Sequence, residues 1–232
     1  MKLNNIVEIK ATLVLKTGLH IGSGDSEMHI GGIDNPVIKN PITQRPYIPG
    51  SSLKGKIRSL LEWRSGAVKD KPLAISDIKT AAQPEMVKDI LRLFGINADT
   101  KNEQDIVKEI GVARLGFWDC EFTPDWQAHL EQNNLPVTEA KFENTIDRIT
   151  STAGNPRQTE RVPAGAKFEF KVTLRQFEQD SDKLVELFLK GLRLLELDSL
   201  GGAGSRGYGK VAFEHLMVDN KPVNLEEINP FA

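Results

Sequence analysis

The chain has 232 residues, of which 39% are hydrophobic, and its formal net charge is −2. This length and apolar content are enough for one large domain with a buried core. No run approaches the roughly 18 apolar residues of a membrane span, and the first ten residues lack the apolar stretch of a signal peptide, so we expect a cytoplasmic protein. The single cysteine, Cys120, excludes an internal disulfide and a thiolate metal cluster.

The first predicted element is a strand at residues 6–15, where β-branched residues are prominent and one face is more apolar than the other. A long loop rich in Gly and Pro follows at residues 19–50. Ser51 and Ser52 then precede an apolar stripe formed by Leu53, Ile57, Leu60 and Leu61. This spacing predicts a helix, for which the serines are natural N-caps.

Basic residues concentrate in this region, although the chain as a whole is slightly acidic. Residues 39–71 contain eight basic and two acidic residues, a local excess of +6. Clustered Lys and Arg supply the affinity of proteins for RNA and DNA phosphates. A solvated helix face produces the same pattern, so charge alone leaves both interpretations open.

The rest of the chain alternates between helix-like and strand-like segments. In order, these are a mainly helical insertion at 64–110, strand character at 111–122, a polar turn-rich insertion at 123–165, a strand at 167–176, a helix starting at Ser181 or Asp182, a glycine-rich loop at 201–207 and a closing strand at 208–213. Without its insertions, this order predicts one α+β domain over residues 1–232, with a ferredoxin-like (RRM-like) βαββαβ core and an antiparallel sheet. A fold alone does not predict function.

Two long motifs carry a family resemblance. Residues 30–37 read Ile-Gly-Gly-Ile-Asp-Asn-Pro-Val, and residues 47–55 read Tyr-Ile-Pro-Gly-Ser-Ser-Leu-Lys-Gly. Supporting matches are residues 20–24, residues 114–119 and the glycine-rich loop, of which the loop alone is weak evidence. In this order, the motifs resemble those of the Csm-type backbone subunits of type III-A CRISPR effector complexes, which belong to the RAMP superfamily.

The resemblance implies a protein that assembles in several copies, as a helical filament, along one guide (CRISPR) RNA together with other subunits of the type III-A complex. Each copy would cut the complementary target RNA, at regular intervals, in a reaction that needs weakly bound Mg²⁺ or another divalent metal. The insertion at 64–110 would be lid-like. The insertion at 123–165 would be a thumb hairpin that crosses the guide–target duplex and wedges a base pair apart.

Asp34 matches the aspartate that similar proteins need for target cutting, so the resemblance makes it the catalytic candidate and a candidate metal ligand. It could act as a base toward a ribose 2′-hydroxyl or help to hold the metal ion. The neighbouring sequence offers no Asp/Glu/His cluster for a two-metal site, so we expect slow chemistry in which strained in-line geometry supplies much of the rate. An Asx-turn before Pro36 is the structural alternative.

The remaining candidates would bind RNA. The helix start offers backbone N–H groups, hydroxyls and cations to a phosphate, and the glycine-rich loop permits close approach of the backbone. A histidine after the first strand and three arginines in the thumb are implied by the resemblance. The full set is His20, Ser51, Ser52, Lys54, Lys56, Arg58, Arg148, Arg157, Arg161, Gly201, Gly202, Gly204 and Arg206. The structural alternatives are a solvated helix, a structural histidine and an ordinary polar loop.

Two other functions stay open. One is a stand-alone RAMP nuclease that processes precursor guide RNA by metal-independent histidine catalysis, although only His20 and His29 lie near the motifs. The other is a purely structural backbone subunit, against which Asp34 in its motif argues. The type III-B homologue is a further possibility within the superfamily.

Overall fold

The structure is a computed structural model that describes residues 2–24, 35–96 and 104–232. The strands in these ranges are β1 (Leu3–Leu15), β2 (Leu115–Phe117), β3 (Glu139–Ile146), β4 (Ala153–Arg161), β5 (Lys167–Phe177), β6 (Val211–Val218) and β7 (Lys221–Pro222). The α-helices are α1 (Gly50–Ser65), α2 (Pro84–Phe94), α3 (Gln104–Ile110), α4 (Pro124–Gln132) and α5 (Lys183–Leu197).

The central sheet has the strand order β2-β5-β1-β6-β7, and every neighbouring pair is antiparallel. Together with α1 and α5, its first four strands reproduce the βαββαβ order, so the predicted ferredoxin-like α+β fold is confirmed. Alternate residues of β1 and β5, such as Ile9, Leu13 and Phe170, are buried with the apolar stripes of both helices. The other face of the sheet carries polar and charged residues, such as Lys10 and Lys171, because side chains alternate along a strand.

The predicted strand boundaries differ from the observed ones. Strand character was expected at 111–122, but only Leu115–Phe117 pairs continuously with β5. Beyond it, the pairing is reduced to isolated bridges, of Cys120 with Ile48 and of Phe122 with Phe168 of β5. The last core strand begins at Val211 rather than 208 because Gly209 adopts a φ of 68° and breaks the extended backbone.

Both insertions contain regular structure. Between α1 and β2, a 3-10 turn at Ile75–Thr80 packs with α2 and α3 around a small separate cluster that includes Leu73, Val87 and Leu91. Between β2 and β5, α4 is followed by the two-stranded sheet β3-β4, whose strands pair from Glu139 and Arg161 to Ile146 and Ala153. The lid-like role of the first insertion stays a prediction.

Among the helices that the structure describes, none combines the length and the apolar character needed to cross a bilayer.

Candidate nucleic-acid interface

Four distant segments of the chain meet near the C-terminal end of β1. The contacts that join them are the hydrogen bonds from Gly202 N–H to the His20 carbonyl (2.9 Å), from Ile38 N–H to the Ile21 carbonyl (2.9 Å) and from Glu160 N–H to the Asn35 carbonyl (3.0 Å), and the ion pair between Lys56 and Asp198 (2.6 Å). The structure therefore brings together the histidine, the start of α1, the glycine-rich loop and the end of the 30–37 motif. Asp34 lies outside the described residues, which resume at Asn35.

Glu160 anchors the segment that follows Asp34. Its side chain is buried, with 4% of the residue exposed. One carboxylate oxygen accepts a hydrogen bond from Val37 N–H at 2.9 Å, and the other accepts from Lys39 Nζ at 2.6 Å and from the Thr138 hydroxyl at 2.7 Å. Burial raises the pKa of Glu160, but these three donors outweigh it, so the net pKa lies below the ordinary value. The carboxylate is thus ionised at neutral pH and fixes residues 35–39 against β4.

His20 is half-buried beside this carboxylate, and its ring contacts the backbone rather than the side chain of Glu160. Its Nδ1 lies 2.7 Å from the Glu160 carbonyl oxygen. Because a carbonyl oxygen only accepts hydrogen bonds, Nδ1 carries the proton. The other ring nitrogen, Nε2, is therefore an acceptor in the neutral ring, which suits a hydroxyl group of a ligand. This geometry is compatible with the predicted RNA contact.

The start of α1 differs from the prediction. The helix begins at Gly50 after an extended Pro49, so Ser51 and Ser52 lie in its first turn and are not its N-caps. The Gly50 N–H group donates instead to the Asp119 carboxylate at 2.7 Å. That carboxylate comes from a distant part of the sequence and occupies part of the anion-binding end of the helix. Ser51 is exposed and Ser52 is half-buried, so their hydroxyls remain candidate phosphate contacts.

Arg58, another predicted RNA contact, is held by groups of its own chain. Its guanidinium donates to Glu62 at 2.7 Å, to the Leu73 carbonyl at 2.9 Å and to the Gly95 carbonyl at 3.1 Å, with 14% of the side chain exposed. These bonds tie α1 to the helical insertion and give Arg58 a structural role, and its RNA contact stays a prediction. Lys56 is engaged by Asp198, whereas Lys54 is half-buried on the first turns of α1 and stays a candidate.

Two glycines of the glycine-rich loop are required by close contacts within the protein. A Cβ atom at Gly201 would lie 2.3 Å from the His20 carbonyl oxygen, and one at Gly204 would lie 2.0 Å from the Ser199 hydroxyl. These glycines therefore allow close packing of the loop on its own chain, and this packing accounts for them without a phosphate. Gly202 is exposed, so its backbone remains accessible to a ligand.

The strands β3 and β4 form the hairpin predicted to be the thumb. Tyr208 joins the base of this hairpin to the glycine-rich loop. This ring is fully buried, with Lys141 Nζ 4.4 Å and Arg161 Cζ 5.1 Å from its centroid, and its hydroxyl donates to Glu143 at 3.0 Å. Glu143 also pairs with Arg206 at 3.1 Å, although 60% of the Arg206 side chain is exposed. Burial raises the pKa of Glu143, but the Tyr208 hydroxyl, Arg206 and Lys141 together lower it below its ordinary value.

The three predicted thumb arginines occupy different environments. Arg161 lies at the base, where it pairs with Glu139 at 2.6 Å and has 22% of its side chain exposed. Arg157 is exposed along β4, and Arg148 is exposed in the turn beyond β3. A strand of this length extends about 25 Å, so Arg148 projects away from the other candidates rather than joining them.

The described ranges 2–24, 35–96 and 104–232 contain no group of three or more His, Cys, Asp or Glu placed to hold a metal ion. Glu160, the nearest buried carboxylate to the segment after Asp34, already accepts hydrogen bonds on both oxygens. The described residues therefore do not form a protein cage for a divalent ion, and Asp34 is the one predicted ligand.

Sequence reasoning missed Glu160, Tyr208 and Asp119, which hold the predicted site residues in place. Each of them contacts a segment that is distant in the sequence, so local patterns did not predict these contacts. Asp119 stands inside the 114–119 motif, and Tyr208 follows the glycine-rich loop directly.

Comparison with known proteins identifies the family. The RAMP superfamily model matches residues 12–212. The protein described as "CRISPR system Cms endoribonuclease Csm3" of Streptococcus thermophilus is 45% identical over 217 residues, covering 90% of this chain and 88% of the relative. The protein with the same description from Methanothermobacter thermautotrophicus is 40% identical over 225 residues, covering 93% of this chain and 86% of the relative.

Solved structures agree with these relatives. The crystal structure of a Csm3–Csm4 subcomplex of the type III-A CRISPR-Cas interference complex matches with a TM-score of 0.55 and 28% identity, covering 99% of this chain and 86% of that one. A type III-B Cmr-beta complex bound to cognate target RNA matches with a TM-score of 0.57 at 16% identity, covering 92% and 60%, and this likeness concerns the fold alone. The family model and the two relatives together show that this chain belongs to the RAMP superfamily and, within it, to the Csm3 family.

Proposed function

We propose that the chain is the repeated backbone subunit of a type III-A CRISPR ribonucleoprotein, which binds guide RNA and cleaves the complementary target RNA. The observation that carries this proposal is the convergence of the family motifs at one end of β1 in a chain of the Csm3 family. The Csm3 relatives are named endoribonucleases, and a structural match contains the Csm4 subunit. Copies of this chain and further subunits of the complex are therefore its protein partners.

Guide binding rests on the surface around the start of α1. The Ser51 and Ser52 hydroxyls and Lys54 offer donors to phosphate oxygens, and the exposed Gly202 leaves room for close approach of the RNA backbone. Nε2 of His20 offers an acceptor for a ribose hydroxyl. These contacts read the RNA backbone and not the bases, as a guide whose sequence varies requires.

Target cleavage rests on Asp34. As a base, its carboxylate would take the proton of the ribose 2′-hydroxyl, whose oxygen then attacks the adjacent phosphorus while the 5′-oxygen leaves and takes a proton from water. A divalent ion held by Asp34, RNA oxygens and water would stabilise the charge that develops on the phosphate. The products of this reaction are a 2′,3′-cyclic phosphate and a 5′-hydroxyl. Glu160 fixes the residues that follow Asp34, and the thumb positions the target strand.

The complex, assembled with a defined guide RNA, tests this function. A 5′-labelled complementary target should be cut at regular intervals in magnesium, whereas a scrambled target should stay intact. Chelation with EDTA should stop the cutting, and fresh magnesium should restore it. Binding of the target without cutting in magnesium would instead show a structural scaffold, and cutting that persists in EDTA would show metal-independent chemistry.

A further inference from the structure

The open face of the central sheet carries one large exposed aromatic side chain near its β2 edge. Trp118 directly follows β2 and is 46% exposed. Its ring lies on the face opposite α1 and α5, because Lys171 Nζ is 4.9 Å from the ring centroid and the neighbours of Lys171 on β5, Phe170 and Val172, are buried toward the helices. The ring therefore faces solvent rather than the protein core.

Two contacts fix this tryptophan in place. Its backbone N–H donates to the Lys171 carbonyl at 3.2 Å, and Lys171 Nζ also pairs with Glu8 at 2.9 Å, so the ammonium beside the ring is itself held. The next residue, Asp119, accepts a hydrogen bond from Gly50 at the start of α1. The exposed ring thus lies one residue from the carboxylate that binds the start of α1, the helix that carries Ser51 and Lys54.

We propose that Trp118 is a stacking site for one base of the bound RNA, an inference that rests on the proposed function. Aromatic side chains stack on any base, because every base has a π-face, and such a contact suits a guide of variable sequence. Sheets of this fold in RRM domains also present aromatic rings to bases. The sheet face around Trp118 carries Lys10, Lys171 and Arg175 together with Glu8, which pairs with both lysines. This polar face favours a polar ligand such as RNA over an apolar protein partner.

Binding of a fluorescein-labelled guide-length RNA to the full chain, followed by anisotropy at several salt concentrations, tests the site. Trp118→Ala should bind about tenfold more weakly, with the salt dependence unchanged, because stacking releases no counterions. Trp118→Phe keeps an aromatic face and should lose no more than about threefold. Trp63→Ala removes a tryptophan that is 69% exposed near the end of α1 and should bind like the wild type.

A second measurement does not depend on affinity. RNA containing 5-iodouridine, irradiated in the complex, should form a cross-link that peptide mass spectrometry maps to Trp118. Wild-type affinity in Trp118→Ala without this cross-link would overturn the proposal. Loss of complex assembly at wild-type RNA affinity would also overturn it, because Trp118 would then contact protein. If neither the wild type nor Trp63→Ala binds guide RNA, the proposed function itself is wrong.

Discussion

At the scale of single residues, the polar groups buried in the core have the largest consequences for stability. Arg114 is fully buried, and its guanidinium makes a double hydrogen bond to the Asp180 carboxylate at 2.9 and 3.0 Å. The same guanidinium donates to the Ile110 carbonyl and lies 4.8 Å from the Phe177 ring centroid. This pair connects the end of the helical insertion to the turn between β5 and α5.

We predict that Asp180→Ala destabilises the fold by about 3–5 kcal/mol, because it leaves the buried charge of Arg114 without a partner. Urea unfolding followed by circular dichroism measures this free energy. The double variant Arg114→Met/Asp180→Leu is the control and should recover most of the loss, since it removes both charges. A single variant as stable as the wild type would contradict the prediction.

The thiol of Cys120 should be inert in the native protein. Burial is the main cause that raises its pKa to about 12, and the nearby carboxylates of Asp119 and Glu169 raise it further. Because the thiolate is the reactive form, we expect iodoacetamide to leave native Cys120 unmodified at pH 8 and to alkylate it in urea. Intact-mass spectrometry measures the alkylated fraction of the folded and the unfolded chain. Rapid alkylation of the folded chain would contradict the burial of Cys120.

The basic residues between Lys39 and Lys71 show what charge patterns can predict. Most of them are engaged within the protein, in the pairs Lys39–Glu160, Arg45–Glu131, Lys56–Asp198, Arg58–Glu62 and Lys69–Asp77. Their acidic partners lie at both short and long sequence separation, so the local excess of +6 overstated the charge available to RNA. The sequence pattern located this region of the candidate site but could not separate Lys54 from its structural neighbours.

At the scale of elements, the segment at residues 35–39 depends on a single carboxylate. Because the pKa of Glu160 is lower in the folded chain than its ordinary value of 4.5, the ionised side chain stabilises the native state fully above pH 4.5. This contribution is lost as the pH falls through the lower, folded-state pKa. The effect adds to those of other carboxylates, so it has to be measured as a difference between variants.

We predict that, as the pH falls below about 4.5, the free energy of unfolding drops less in Glu160→Gln than in the wild type, because the titrating carboxylate is absent. The Val37 amide should exchange its hydrogen faster in the variant, because the carboxylate that accepts its hydrogen bond is replaced. Glu226→Gln, at an exposed position, is the control. Equal exchange of the Val37 amide in both variants would show that Glu160 does not anchor this segment.

The core strands and helices were predictable because their apolar residues recur with the period of a strand or a helix. Residues Phe168, Phe170, Val172 and Leu174 of β5 are all buried, as the alternating sequence indicated. The start of α1 was not predictable from its own residues, because the group that accepts its first N–H comes from Asp119. Element ends are decided by such distant contacts, which local sequence does not encode.

At the scale of the whole molecule, one fold joins the candidate RNA-binding surface to the β3–β4 hairpin. The end of β1 joins the histidine, the start of α1 and the glycine-rich loop, and the thumb is fastened to that loop through Tyr208 and Glu143. On the proposed function, such a subunit would bind guide RNA near the end of β1 and extend the β3–β4 hairpin toward the target. The chemistry would then depend on assembly, since several copies would hold the target strand.

The most direct test of the account compares Asp34→Ala with Asp70→Ala, an exposed aspartate in the helical insertion, in complexes assembled with the same guide. Both variants should bind the labelled target as the wild type does. The regularly spaced cuts should persist in Asp70→Ala and fall by at least about 100-fold in Asp34→Ala, because the catalytic carboxylate is absent. Undiminished cutting by Asp34→Ala would contradict the account and place the catalytic group elsewhere.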